Sequence, residues 1–192
     1  MRIPNPRPTL AVGRGGILLA VCLLLCACAT HSLPPDFTPP GGSRIVADAP
    51  FYAQEDYQCG PAALATAMAT AGDPVTPDEI AKAIFRPEAR GTLNLDMALY
   101  PRTRGHATRW FSGTVHDLVS AVDQGRVLVV MVNYGLREVS FDHFLAVTGY
   151  APGGVIVNDG SRRNHLVPWD DFWADWSDAG RWTLEILPKD AK

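Results

Sequence analysis

The sequence predicts an α+β domain, with helices first and an antiparallel sheet after them. Two observations carry this. In the first half of the domain, the Ala-rich run AALATAMATAG follows Cys59-Gly60-Pro61 and is closed by Gly72, and a second helical start follows at Thr76. In the second half, Arg126–Asn133, His143–Tyr150 and Val155–Asp159 are β-rich runs, the last two joined by the turn Ala151-Pro152-Gly153-Gly154. Helices gathered before strands give the layered order of an α+β domain.

The elements are legible in order. Arg2, Arg7 and Arg14 are the only charges in the first 27 residues and precede the apolar run GGILLAVCLLLCA, Gly15 to Ala27. At roughly 13 residues it is too short to span a membrane and fits the core of an export signal. Residues 1–27 are therefore read as a signal peptide. Residues 28–43 contain Pro34-Pro35, Pro39-Pro40 and Gly41-Gly42, the composition of an extended tether. A strand is expected near Ile45-Val46 or Phe51-Tyr52, and residues 44–192 form one domain, of which Arg44 to Leu187, about 140 residues, suffices for a single core. Pro61 suits a first helical turn, where its missing N–H is no loss. Thr76-Pro77-Asp78-Glu79 is a capping box that starts a helix running to Phe85. Arg90-Gly91-Thr92-Leu93 leads into a short third helix toward Tyr100, and Thr114 with Asp117 opens a fourth that stops at Gly125. Trp169, Phe172, Trp173 and Trp176 recur at helical spacing and predict an amphipathic helix with its aromatic stripe in the core. Asp170, Asp171, Asp175 and Asp178 take its other face, and a last strand runs from Arg181 to Leu187.

Composition narrows the function. Apolar residues make up 47% and charged residues 19% of the chain, ordinary for a globular domain. Without the signal's three arginines, 17 − 3 leaves 14 basic against 20 acidic side chains, a net charge of −6. That charge disfavours nucleic acid and anionic lipid as partners. No phosphate loop, HExxH motif or paired Cys/His ligand set is present, so neither a cofactor nor a metal is expected.

The signal ends in Leu25-Cys26-Ala27-Cys28, which resembles a bacterial lipoprotein lipobox. The resemblance implies cleavage after Ala27, a lipid on Cys28, and, with Ala29 following, sorting to the outer membrane. Cys22 and Cys26 leave with the signal and Cys28 would be blocked, so Cys59 is the one thiol left in an oxidising compartment. It stands at a helix N-terminus, where the helix dipole favours a thiolate.

Gln54 to Leu64, reading QEDYQCGPAAL, resembles the nucleophile segment of the double-glycine leader peptidases, papain-like cysteine peptidases that process bacteriocin precursors. That resemblance implies a papain-like fold, Cys59 as nucleophile and Gln54 as oxyanion donor, with Gln58 as the alternative. A thiolate also needs a base and a group to orient it. His31 falls in the tether, His116 on a helix surface, and His106 and His165 beside loops. His143 opens a strand, and by the resemblance it is the base and Asp159 its orienting carboxylate. Asn158-Asp159-Gly160 is also a strong turn signal, which gives Asp159 a purely conformational alternative. Geometry adds a condition. A plain hairpin pairing Tyr150 with Val155 sets Asp159 opposite Ala146, on the face His143 does not use, so the triad requires a bulge or a bent strand.

The expected activity is peptide-bond cleavage by Cys59, His143, Asp159 and Gln54, on a peptide or protein substrate, in a lipid-anchored protein of the bacterial envelope. A catalytically silent peptidase-like adaptor is the rival. Neither the substrate nor the oligomeric state is encoded in a readable pattern.

Overall fold

The computed structural model describes residues 32–53, 58–135 and 140–189. The signal segment, Cys28, His31 and Gln54 lie outside the described residues.

Helices form where the sequence supplies their ends. Helix α1 (Cys59–Thr70) starts at the cysteine itself, and every residue from Gly60 to Met68 is buried. A helix apolar all round belongs in a core, and its alanines let it lie close against the strands. Helix α2 (Pro77–Ile84) carries the reciprocal box: Glu79 N–H donates to Thr76 Oγ1 at 3.3 Å and Thr76 N–H to Glu79 Oε2 at 2.9 Å. A small hairpin, β2 (Phe85–Arg86) and β3 (Gly91–Thr92), brackets a 3-10 turn and leads into α3 (Asn94–Thr103). Helix α4 (Val115–Asp123) is capped by Thr114 in the same way as α2.

The remaining strands are β1 (Arg44–Ile45), β4 (Thr108–Ser112), β5 (Leu128–Asn133), β6 (Asp142–Ala151), β7 (Gly154–Asp159), β8 (Arg162–Pro168) and β9 (Trp182–Ile186). They form one antiparallel sheet in the order β4-β9-β5-β6-β7-β8, and β1 pairs with β6 beyond the end of β5. Gly149 permits that last pairing, because a Cβ there would lie 2.4 Å from the carbonyl oxygen of Arg44. This is the α+β arrangement the sequence predicts, helices packed on an antiparallel sheet.

Helix α5 (Trp169–Asp178) buries Trp169, Phe172, Trp173 and Trp176 against β5, β7 and β8. Trp176 is wholly buried, and its indole N–H donates to the carbonyl of Trp182 at 3.3 Å, so the polar atom of the largest core side chain is satisfied. Asp170, Asp171 and Asp178 are exposed and Asp175 is half-buried. Burial, then the charges of Asp171 and Asp178, push the Asp175 carboxyl above its ordinary range. Part of the segment read as a tether lies on the domain: Leu33 and Phe37 pack against the core, and the Phe37 ring meets Trp169 edge-on at 5.1 Å.

The C-terminal end of α1 is pinned by a charged cluster. Arg104 donates both arms to Asp73, at 2.9 and 2.8 Å, and Lys189 approaches the same carboxylate at 3.2 Å. The buried His106 ring bridges Leu187 C=O at 2.8 Å and Asp73 at 3.2 Å. These contacts tie α1, the turn after α3 and the end of β9 together.

Candidate active site

Cys59 is the first residue of α1, half-buried against the core. Strand β3 can lie close against the start of the helix because Gly60 has no side chain; a Cβ would sit 2.1 Å from Thr92 Oγ1. Burial pushes the thiol up. The hydrogen bond and charge of His143, together with the backbone amides of Phe144 and Gly60, outweigh that and hold the thiol below its ordinary value.

His143 is the second residue of β6. Its Nε2 lies 2.9 Å from Asp159 Oδ1, which leaves Nδ1 as the ring nitrogen for the thiol. Burial disfavours the imidazolium, but the Asp159 and Cys59 contacts raise its pKa to about 9. Burial likewise raises the Asp159 carboxyl, and His143 with Arg162 bring it below its ordinary range. The lowered thiol and the raised imidazole shift the balance in the same sense, toward a thiolate–imidazolium pair beside the carboxylate.

Bringing Asp159 to His143 takes one extra residue. Tyr150 pairs with Val155 and Gly149 with Ile156, as in a plain hairpin, but the next pair is Val147 with Val157. Thr148 is the residue left over, a β-bulge. Beyond it Ala146 faces Asn158, so Asp159 shifts onto the alternation shared by Leu145 and His143. A second irregularity lies one strand further. Val157 pairs with His165, yet Asp159 pairs with Arg162, leaving an extra residue on β8 around Asn164, whose φ is 48°. The two bulges are joined by hydrogen bonds: Thr148 Oγ1 donates to Asn164 Oδ1 at 3.2 Å, and the Asn164 backbone N–H donates to Asn158 Oδ1 at 3.1 Å. Thr148 and Asn158 are both buried, so this polar network is satisfied where an orphan would be costly.

The other histidines stand elsewhere. His106 lies beyond the far end of α1, a 12-residue helix about 18 Å long that starts at Cys59, and there it contacts Asp73. His116 is exposed on α4, and His165 lies within strand β8, not beside a loop, accepting from Arg162. Gln58, the alternative oxyanion donor, is the N-cap residue of α1 and makes no capping side-chain bond. Among the described residues no group of three or more His, Cys, Asp or Glu side chains could hold a metal ion, and no helix is long and apolar enough to cross a membrane.

A family model described as the Peptidase_C39 like family matches residues 46–183. The chain belongs to this family. Three solved structures have the same fold. A C39-like peptidase from Bacillus anthracis aligns with a TM-score of 0.64 at 18% identity, over 76% of this chain and 97% of that one. The peptidase domain of Streptococcus ComA, a bifunctional ABC transporter of a quorum-sensing pathway, gives 0.60 at 21%, over 73% and 98%. A double-glycine-motif protease from an AMS/PCAT transporter, in complex with its leader peptide, gives 0.59 at 18%, over 80% and 99%. A search of curated proteins returns no match.

In this Peptidase_C39-like chain a cavity of about 440 Å³ is lined by Asn94, Trp110, Phe111, Met131 and Trp182 among others, and not by Cys59, His143 or Asp159. Its lining connects to the surroundings of the cysteine through intermediates. Asn94 follows two residues after Thr92, which abuts Gly60, and Met131 pairs across the sheet with Phe144, whose amide faces the sulfur. Strand β4, which supplies Trp110 and Phe111, was not anticipated from the sequence. Tyr134, whose ring lies 5.5 Å from that of His143, was also missed; a single tyrosine at a strand end carries no sequence signal.

Proposed function

We propose that this chain is a cysteine peptidase of the bacterial envelope, acting through Cys59, His143 and Asp159. The observation that supports it is the continuous contact from a thiol at a helix N-terminus, through an imidazole, to a buried carboxylate. The Cys59 thiolate attacks the carbonyl carbon of a peptide bond lying in the cleft, and the charge developing on oxygen is met by the Cys59 backbone N–H and by Gln54, or by Gln58 in its place. The tetrahedral adduct collapses as His143 gives the Nδ1 proton to the leaving amine, which breaks the C–N bond and leaves a thioester. Water then attacks the thioester, His143 accepts its proton, and the carboxylic acid departs with the thiolate restored. Asp159 holds Nε2–H throughout, so the working nitrogen faces the sulfur.

The test needs no substrate. Alkylation of Cys59 by iodoacetamide, read by mass spectrometry on the Cys59 peptide, is expected to rise with a midpoint below the ~8.5 of a free thiol. In His143→Ala the midpoint should move up to that value or beyond it, because burial then acts unopposed. Midpoints near 8.5 in both proteins would return Cys59 to the inert class and favour a silent adaptor.

We further propose that the domain is held at the membrane by lipid on Cys28, which the Leu25–Cys28 pattern supports. The mature N-terminus should carry a diacylglyceryl mass, and Cys28→Ala should remain unprocessed. An unmodified N-terminus would overturn it.

A further inference from the structure

We infer that Arg162 is a positioning residue of the site: from β8 it holds the oxygen of Asp159 that His143 does not use, and so sets the carboxylate's rotation and its grip on the imidazolium. The inference rests on the peptidase reading above, and three observations carry it.

The first is geometry. Asp159 Oδ1 meets His143 Nε2, and Asp159 Oδ2 is bonded to Arg162 Nη2. A carboxylate gripped at one oxygen can swing about its Cβ–Cγ bond, whereas one gripped at both is fixed. The second is selection by the fold. Arg162 and Arg163 are adjacent, and an uninterrupted ladder from the Val157–His165 pair would set Arg163 opposite Asp159. The extra residue on β8 moves Arg162 into that place, and Asn164, bonded to both Thr148 and Asn158, stabilises the irregularity. The third is anchoring. Arg162 Nη1 lies 2.9 Å from His165 Nε2, so the guanidinium is held from behind while its side chain stays 55% exposed.

The charge has a direction of its own. Around Asp159 stand His143 from β6 and Arg162 from β8. Tyr134 lies against the His143 ring, with Asp175 of α5 nearby, and Cys59 is on the far side of the imidazole. Among the described residues Arg162 is the cation that competes with His143 for the carboxylate. Removing it strengthens the Asp159–imidazolium pair, so His143 should lose its proton at a higher pH.

The experiment follows His143 in the full chain by NMR of ring-labelled histidine, with His143→Ala assigning the signal. Arg162→Gln is expected to raise the titration midpoint of His143 by about half a pH unit, modest because the arginine is half solvated. Arg162→Lys should restore the wild-type midpoint, and Arg163→Gln, which removes the same formal charge one residue away, should leave it unmoved. Equal shifts from both glutamines would mean a general charge effect and overturn the assignment. So would an unchanged midpoint in Arg162→Gln, whether or not that protein is less stable. This titration does not depend on alkylation of Cys59, so the Arg162 assignment and the peptidase reading can fail separately.

Discussion

Cys59→Ala is expected to abolish acyl-enzyme formation and leave the domain folded. Among the described residues Cys59 carries the only thiol that can form the thioester, and loss of a nucleophile from a cooperating set costs on the order of 10⁴–10⁶ in rate. The structural cost is small by comparison. Cys59 is a half-buried first residue of α1, alanine is the best helix former, and Gly60 and Pro61, which shape the turn, are untouched. Loss of function would therefore not reflect loss of fold, and circular dichroism with a denaturant midpoint should confirm it. With the substrate unidentified, the activity is read in cells. A deletion strain is complemented with wild type or with Cys59→Ala, and the envelope proteome is compared for uncleaved precursors. Wild type should clear precursors that accumulate with the alanine variant, and thioester-linked fragments should be trapped on Cys59 at low pH. Full complementation by Cys59→Ala would defeat the peptidase reading in favour of an adaptor.

The helices were legible because each carries its ends in local sequence. Pro61 and Gly72 bound α1, Thr76 with Glu79 starts α2, and Thr114 with Asp117 starts α4, and none of these signals depends on the rest of the fold. The inner strands β5, β6 and β7 were legible because burial makes them apolar. Besides the short hairpin strands β2 and β3, the two strands missed lie at the edges of the main sheet. Strand β8 reads Arg-Arg-Asn-His-Leu-Val-Pro and β4 reads Thr-Arg-Trp-Phe-Ser; each pairs on one side only and can carry charge, which erases the apolar pattern. For the site, the pairing of Tyr150 with Val155 and the need for a bulge could both be worked out from spacing. The position of the bulge could not. It lies at Thr148 because that hydroxyl meets Asn164 of β8 across the intervening strand β7, and Gly149 admits β1 beside it. Such contacts depend on tertiary placement and leave no trace in a local window. Arg162 was hidden for the same reason, since the sequence offers two adjacent arginines and only the β8 irregularity separates them.

Asp159→Asn is expected to cost roughly 10²–10⁴ in rate, and the reason is the proton inventory around the carboxylate. Asp159 accepts at both oxygens, from His143 Nε2 on one side and from Arg162 on the other. An asparagine has one acceptor and one donor to offer the same two neighbours. The guanidinium is always a donor, so the amide oxygen goes to Arg162 and the NH₂ turns to His143. Nε2 must then accept, the ring proton moves to Nδ1, and the nitrogen facing Cys59 can no longer take the thiol's proton. Loss of the negative charge acts in the same sense. The pKa of about 9 at His143 is sustained against burial by Asp159 and the thiol, so without the carboxylate it falls, and the thiolate–imidazolium window closes from its alkaline side. This shift is opposite in sign to that expected of Arg162→Gln. The tautomer account also makes a demand that simple charge loss does not. With Arg162→Gln added to Asp159→Asn, the amide oxygen is released to face Nε2–H, and Cys59 alkylation at neutral pH should recover part of what the single variant loses. A double variant no more reactive than Asp159→Asn alone would leave charge as the whole explanation.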